Sequence, residues 1–159
     1  MAVWQKDYGK FKVAITLSPG GLESIKLISE VDAAMGKDPP EGFEALHEWF
    51  LSYLEGTPLE KDFPLDVTLT DFQRLVLMET KKIPFGQTIT YGELAQKIQR
   101  PRAVRGVGGA LGMNPLVIYI PCHRVIGSNG ALRGYSGLGG LKTKETLIHY
   151  EKSLLINRG

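Results

Sequence analysis

The chain has one cysteine, Cys122, and the next two residues are His123 and Arg124. A thiolate is a strong nucleophile, and a nearby histidine or arginine favours that charged form. A lone cysteine is just as readily a small buried apolar residue, so the tripeptide alone leaves both readings open. A histidine acting as a base also needs a carboxylate to fix its tautomer. Residues 84–159 hold only three acids, Glu93, Glu145 and Glu151, of which Glu151 has the most apolar neighbours, Tyr150, Leu147 and Leu154. A Cys122–His123–Glu151 relay is therefore available. Successive strand residues face opposite ways, so His123 would reach Cys122 around a turn or through a bridging water. One cysteine can form neither an internal disulfide nor a multi-cysteine zinc site. No metal and no cofactor are expected, and the thiol suits a compartment where thiols stay reduced.

A second unusual segment lies just upstream, where Gly106, Gly108, Gly109 and Gly112 fall within seven residues. In a helix each glycine costs about 0.8 kcal/mol relative to alanine, roughly 3 kcal/mol together. One reading is a loop. The other is a helix with a bare face that lets its backbone approach a large partner, with Arg105 projecting from it, as in a DNA groove. Charge is divided unevenly. Residues 84–159 carry ten Lys and Arg against three acids (+7), residues 1–83 nine against fourteen (−5), for a net +2. The basic half suits a polyanionic partner or is simply a solvated surface.

The elements that must position these residues form an α+β chain: a small N-terminal α/β domain, 1–64, followed by a mostly helical domain, 65–159, with a helix-turn-helix and an active-site loop. At 159 residues and 43% apolar content, the chain can bury one generous core or two small ones. Phe11–Leu17 and Ser24–Ser29 read as strands around a Ser18–Gly21 turn. Phe43, Leu46, Phe50 and Leu54 recur at helical spacing, and Thr57–Pro64 reads as a linker. In the second half Thr70 or Asp71 caps a helix with Phe72, Leu75, Val76 and Met78 on its apolar face, ended by Ile83-Pro84. Thr90 caps a helix over Tyr91–Gln99, and Arg102–Gly112 would complete the helix-turn-helix. Leu116–Ile120 reads as a buried strand delivering Cys122, and a last helix covers Lys142–Leu155. No run reaches the roughly 18 apolar residues of a membrane span, and no signal peptide opens the chain.

The run Ile120-Pro-Cys-His-Arg-Val-Ile-Gly-Ser-Asn-Gly, followed by Gly134-Tyr-Ser-Gly137, resembles the signature of the O6-alkylguanine-DNA alkyltransferases. Phe72-Gln73, Ile83-Pro-Phe-Gly-Gln-Thr88, Thr90-Tyr-Gly-Glu-Leu-Ala95, Arg105-Gly-Val-Gly-Gly-Ala110 and Asn114-Pro115 stand in that family's order, so the resemblance covers about residues 70–151. It implies stoichiometric, irreversible transfer of an alkyl group from O6-alkylguanine, and O4-alkylthymine, in duplex DNA to Cys122 after base flipping. It further implies that His123 is a water-relayed base oriented by Glu151. Asn114 would be the hinge before the active-site loop, and Tyr91 the group that aids nucleotide rotation and protonates the leaving base. Arg105 would fill the vacated stack, with Gly106, Gly108, Gly109 and Ala110 against the minor groove. Val125, Leu111, Tyr135 and Ser136 would line or close the pocket. The implied protein is a monomer on double-stranded DNA, in the cytoplasm with the nucleoid or in a eukaryotic nucleus, away from membranes.

Two departures stand out. Val117 occupies the place of a second proline common in the family, and the stretch from Ser136 to Glu151 is two residues longer than the common pattern. Two other readings compete. A non-catalytic alkyltransferase-like damage-binding protein would lack Cys122. A cysteine hydrolase would leave Arg105 and the basic half unexplained.

Overall fold

Three strands, β1 (Ala2–Asp7), β2 (Lys12–Ser18) and β3 (Gly21–Leu27), pair in that order as an antiparallel sheet in the computed structural model, which describes residues 1–130 and 140–157. Val13 and Ile15 of β2 alternate inward and are fully buried with Trp4, Leu22 and Ile25. Helix α1 (Glu44–Leu54) lays Leu46, Trp49, Phe50 and Tyr53 on the same core, where Trp4 meets Phe43 and Phe11 meets Phe50 and Tyr53 edge-on or tilted. β1 lies outside the strands read from sequence, because AVWQKD buries only Trp4.

These elements form one compact unit, Met1–Val67; the rest, from Thr68, forms a second. Within the first unit, the segment expected as a linker is pinned in place. Trp49 Nε1 donates to the Leu59 carbonyl, and Leu22 N and Asp66 N complete a bridge with Pro64 and Leu22 carbonyls. Gly21, at φ +135°, is needed for that approach, since a Cβ would sit 2.3 Å from the Pro64 carbonyl oxygen.

In the second unit α2 (Asp71–Thr80) and α3 (Tyr91–Lys97) each begin with a capping box, Thr70 with Gln73 and Thr90 with Glu93. Each box satisfies two otherwise unpaired backbone donors. α2 ends at Thr80, before Ile83-Pro84, and its inward face is Val76, Leu77 and Thr80 rather than Leu75, which is exposed. α3 also stops early. Arg100 N bonds the Ala95 carbonyl and Gln99 N the Gln96 carbonyl, with Gln99 at φ +59°, the six-to-one and five-to-two pattern that closes a helix through a left-handed residue. α4 (Val104–Gly112) follows at once, completing a helix-turn-helix. The glycine-rich segment is a helix because Val107, Ala110 and Leu111 bury an i, i+3, i+4 stripe. Burial worth about 1.5–3 kcal/mol per large side chain exceeds the propensity deficit.

The expected strand Leu116–Ile120 is not formed. Ile118 turns into the left-handed region at φ +73°, and Ile120 N bonds back to the Leu116 carbonyl. The chain then enters a single 3-10 turn, Cys122–Arg124, and a two-residue strand β5 (Val125–Ile126) parallel to β4 (Ile89–Thr90). α5 (Gly140–Ile156) packs Leu147 and Glu151 inward near that turn. No helix among the described residues is long and apolar enough to cross a membrane.

Candidate active site

Glu151 is the hub of the second unit. It is 1% exposed, and its Oε2 accepts from His123 Nε2 at 2.5 Å, while Oε1 accepts from Arg124 Nε at 2.7 Å and from Gly86 N at 3.0 Å. Burial alone would raise its carboxyl, but the His123 hydrogen bond and charge, then Arg124, outweigh it and hold the carboxyl down at about 2. An ionised carboxylate only accepts, so His123 donates from Nε2 and Nδ1 carries the free lone pair. Nδ1 is buried and has no hydrogen-bond partner among the described residues. Burial pushes the His123 pKa down, against the pull of Glu151; the ring is a neutral base held in one tautomer.

Arg124 does not serve Cys122 as its place in the sequence suggested. Its guanidinium turns to Glu151 and to the Ile83 carbonyl, at 2.7 Å each, and lies over the Phe85 ring. The 3-10 turn separates successive side chains by about 120°, which sends Arg124 and His123 to opposite oxygens of one carboxylate. Gly86, at φ +80°, is wedged under α5: a Cβ there would meet Leu155 Cδ1 at 2.1 Å.

Cys122 is buried, and burial pushes its thiol up despite the opposing Asn114 side chain, Lys144 charge and backbone N–H groups of Cys122 and His123. The resting group is therefore a protonated thiol that needs a base to react. The cation near it is Lys144, which the sequence reading did not single out. Lys144 is buried on α5, its Nζ donates to the Tyr91 hydroxyl at 3.2 Å, and it lies 5.4 Å from the Tyr91 ring centroid. Burial lowers its pKa to about 8, against the pull of Cys122. A signal was available: Lys144, Leu147 and Glu151 share one face of α5 at i, i+3 and i+7, so two charged residues flank a buried leucine.

Asn114 ties the loop before Cys122. Its Nδ2 donates to the Ile120 carbonyl and its Oδ1 accepts from Leu116 N, each at 2.9 Å. Tyr91, the first residue of α3, is half-buried beside Lys144.

On α4, Arg105, Gly106 and Gly109 are exposed and Gly108 is half-buried. Gly106 has an internal reason, since a Cβ there would press on Phe72 at 3.3 Å; at Gly108, Gly109 and Gly112 a Cβ would meet nothing within 4 Å. Ala110, expected to face DNA, is 4% exposed and turns inward because it belongs to the buried stripe, as does Leu111. Val125, expected to line the pocket, is fully buried in β5 against Ile89. Tyr135 and Ser136 lie outside the described residues. Among those described, no group of three or more His, Cys, Asp or Glu is arranged to hold a metal.

Residues 71–153 match the family described as 6-O-methylguanine DNA methyltransferase, DNA binding domain. The chain belongs to this family. Beyond the matched domain, it is 38% identical over 159 residues to the methylated-DNA–protein-cysteine methyltransferase of Methanosarcina acetivorans, covering 96% of this chain and 97% of that one. The Mycolicibacterium paratuberculosis methyltransferase is 44% identical over 113 residues, covering 71% and 67% of the two chains. The crystal structure of Mycobacterium tuberculosis OGT in complex with DNA superposes with a TM-score of 0.80 at 35% identity, covering 96% of this chain and 93% of that one. Membership makes the chain a methylated-DNA–protein-cysteine methyltransferase, with Cys122 the cysteine available as acceptor.

Proposed function

We propose that the protein repairs O6-alkylguanine in double-stranded DNA by moving the alkyl group once, irreversibly, to Cys122 Sγ, with O4-alkylthymine a second substrate. The observation that carries this reading is the buried Cys122 placed among Asn114, Lys144 and a His123–Glu151 pair whose histidine is a neutral base. His123 Nδ1 takes the thiol proton through a bridging water. Sγ then attacks the alkyl carbon in line; the S–C bond forms as the C–O6 bond breaks with its electron pair. Guanine leaves poorly as an anion, so the Tyr91 hydroxyl supplies it a proton and Lys144, within hydrogen-bond reach, resupplies Tyr91. Asn114 holds the loop that aims the thiol. The presence of the cysteine disfavours a purely binding alkyltransferase-like role.

The target carbon is out of reach inside a stacked duplex, so the nucleotide must be turned out at a cost of a few kcal/mol. Arg105, exposed on α4, fills the gap, and the bare face at Gly108 and Gly109 lets α4 lie in the minor groove. The protein acts as a monomer, in a cytoplasmic or nuclear setting where its thiol stays reduced. Incubation with a duplex containing O6-methylguanine should add about 14 Da, one CH2 increment, to the peptide bearing Cys122. An unmodified peptide at excess DNA and low salt would remove the reading.

The bare face makes a second, opposed pair of expectations. Gly108→Ala and Gly109→Ala should each stabilise the fold by up to about 0.8–1 kcal/mol, because the added methyl meets nothing inside the protein. Each should weaken duplex binding while leaving transfer from free O6-benzylguanine intact. Calorimetry with a fluorescence binding titration checks both; unchanged duplex affinity would place DNA elsewhere.

A further inference from the structure

The stretch between Glu93 and Glu145 contains no acid, yet four cations, Lys97, Arg100, Arg102 and Arg105, fall within nine residues of it. All four are exposed, and none is paired with a carboxylate among the described residues. The sharp end of α3 gathers them: the left-handed Gln99 and the Arg100 N to Ala95 carbonyl bond reverse the chain within one turn. The last residue of α3, the connecting turn and the first turn of α4 thus carry the cations on one short corner. Like charges held this close repel one another in the free protein, and a row of phosphates relieves that repulsion by releasing its own counterions.

We infer that Lys97, Arg100 and Arg102 form a phosphate clamp that grips the DNA backbone beside α4, separately from Arg105. The inference rests on the proposed DNA-repair reading and adds to it a contact that positions without reading sequence. The side chains suit the task. Two are arginines, whose planar forks grip phosphate oxygens two at a time, and none is needed for packing. The clamp holds undamaged and damaged duplex alike, so it sets how firmly the protein rests on DNA before a nucleotide is turned out.

The test is the triple variant Lys97→Gln, Arg100→Gln, Arg102→Gln, titrated with undamaged duplexes of several sequences across a range of salt. Each phosphate contact contributes about 0.9 to the slope of log affinity against log salt, so the slope should become shallower by about 2 to 3. The loss should be uniform across sequences, and transfer from free O6-benzylguanine should stay at the parent rate. An unchanged slope overturns the clamp. So does a loss confined to some sequences, which would mean base reading, or an equal loss with free O6-benzylguanine, which would mean a structural role. If the parent protein accepts no methyl, the proposed function fails, while the salt slope on undamaged duplex still decides the clamp.

Discussion

Replacing Glu151 by Gln is expected to destabilise the folded chain by about 3–5 kcal/mol, the range for breaking one side of a buried ion pair, and to slow methyl transfer about 100-fold. Gln keeps the shape but leaves Arg124 buried without a countercharge, and its one acceptor oxygen serves either His123 or the Arg124 and Gly86 N–H groups, so an NH2 donor faces the other side. Acid supplies a second readout. The Glu151 carboxyl titrates at about 2 in the folded chain against 4.5 ordinarily, so its contribution is complete above the higher value and lost as pH falls toward the lower. His123, whose folded pKa is depressed below 6.5, works in the same direction, since the unfolded chain takes up its proton first. Urea midpoints of the parent should therefore drop steeply as the solution is acidified, and those of the Gln variant less so. Equal steepness in both would show that the carboxylate is not the hub.

The second large effect is expected at Asn114. Ala in its place leaves the Leu116 N–H without a partner, at about 1–3 kcal/mol, takes from the Ile120 carbonyl one of its two donors, the other being Cys122 N, and frees the chain just before Cys122. Asp keeps an acceptor for Leu116 N but faces the Ile120 carbonyl with a second oxygen and brings negative charge toward a thiol that Asn114 now helps to ionise. The Asp variant should thus need a higher pH for transfer from free O6-benzylguanine, whereas the Ala variant should lose mainly stability. A pH–rate profile in the Asp variant matching the parent's would separate Asn114 from the thiol.

The parts of the site legible in sequence are those where chemistry and apolar setting coincide. Glu151 could be picked from three acids because its neighbours are apolar, and Thr70 and Thr90 announced their helices as caps. Lys144 was missed because a lysine on an amphipathic helix normally reads as solvent-facing; only its place in line with Leu147 and Glu151 betrays it. The run Leu116–Ile120 has strand composition, but a strand needs a neighbouring ladder, and here the Asn114 side chain and the run's own Ile120 N to Leu116 carbonyl bond take its place and fold the run on itself. β1 escaped for the opposite reason, a hexapeptide with a single buried side chain, Trp4, recruited by the strand it pairs with. The α4 glycines could be read two ways until the buried stripe of Val107, Ala110 and Leu111 was seen to carry the helix.

The asparagine that folds that run has a chemical lifetime as well as a geometry. Asparagine side chains convert to aspartate when the next residue's backbone nitrogen attacks the side-chain amide, closing a five-membered ring. After Asn114 comes Pro115, whose nitrogen carries no hydrogen and cannot close it. Asn129, by contrast, precedes Gly130, which sits at φ +80° in an exposed turn and carries no side chain to shield its nitrogen from that ring closure. Ageing by deamidation should therefore mark the outer turn long before it reaches the loop that aims the thiol. A protein that spends its cysteine once can wait in working order until a lesion arrives.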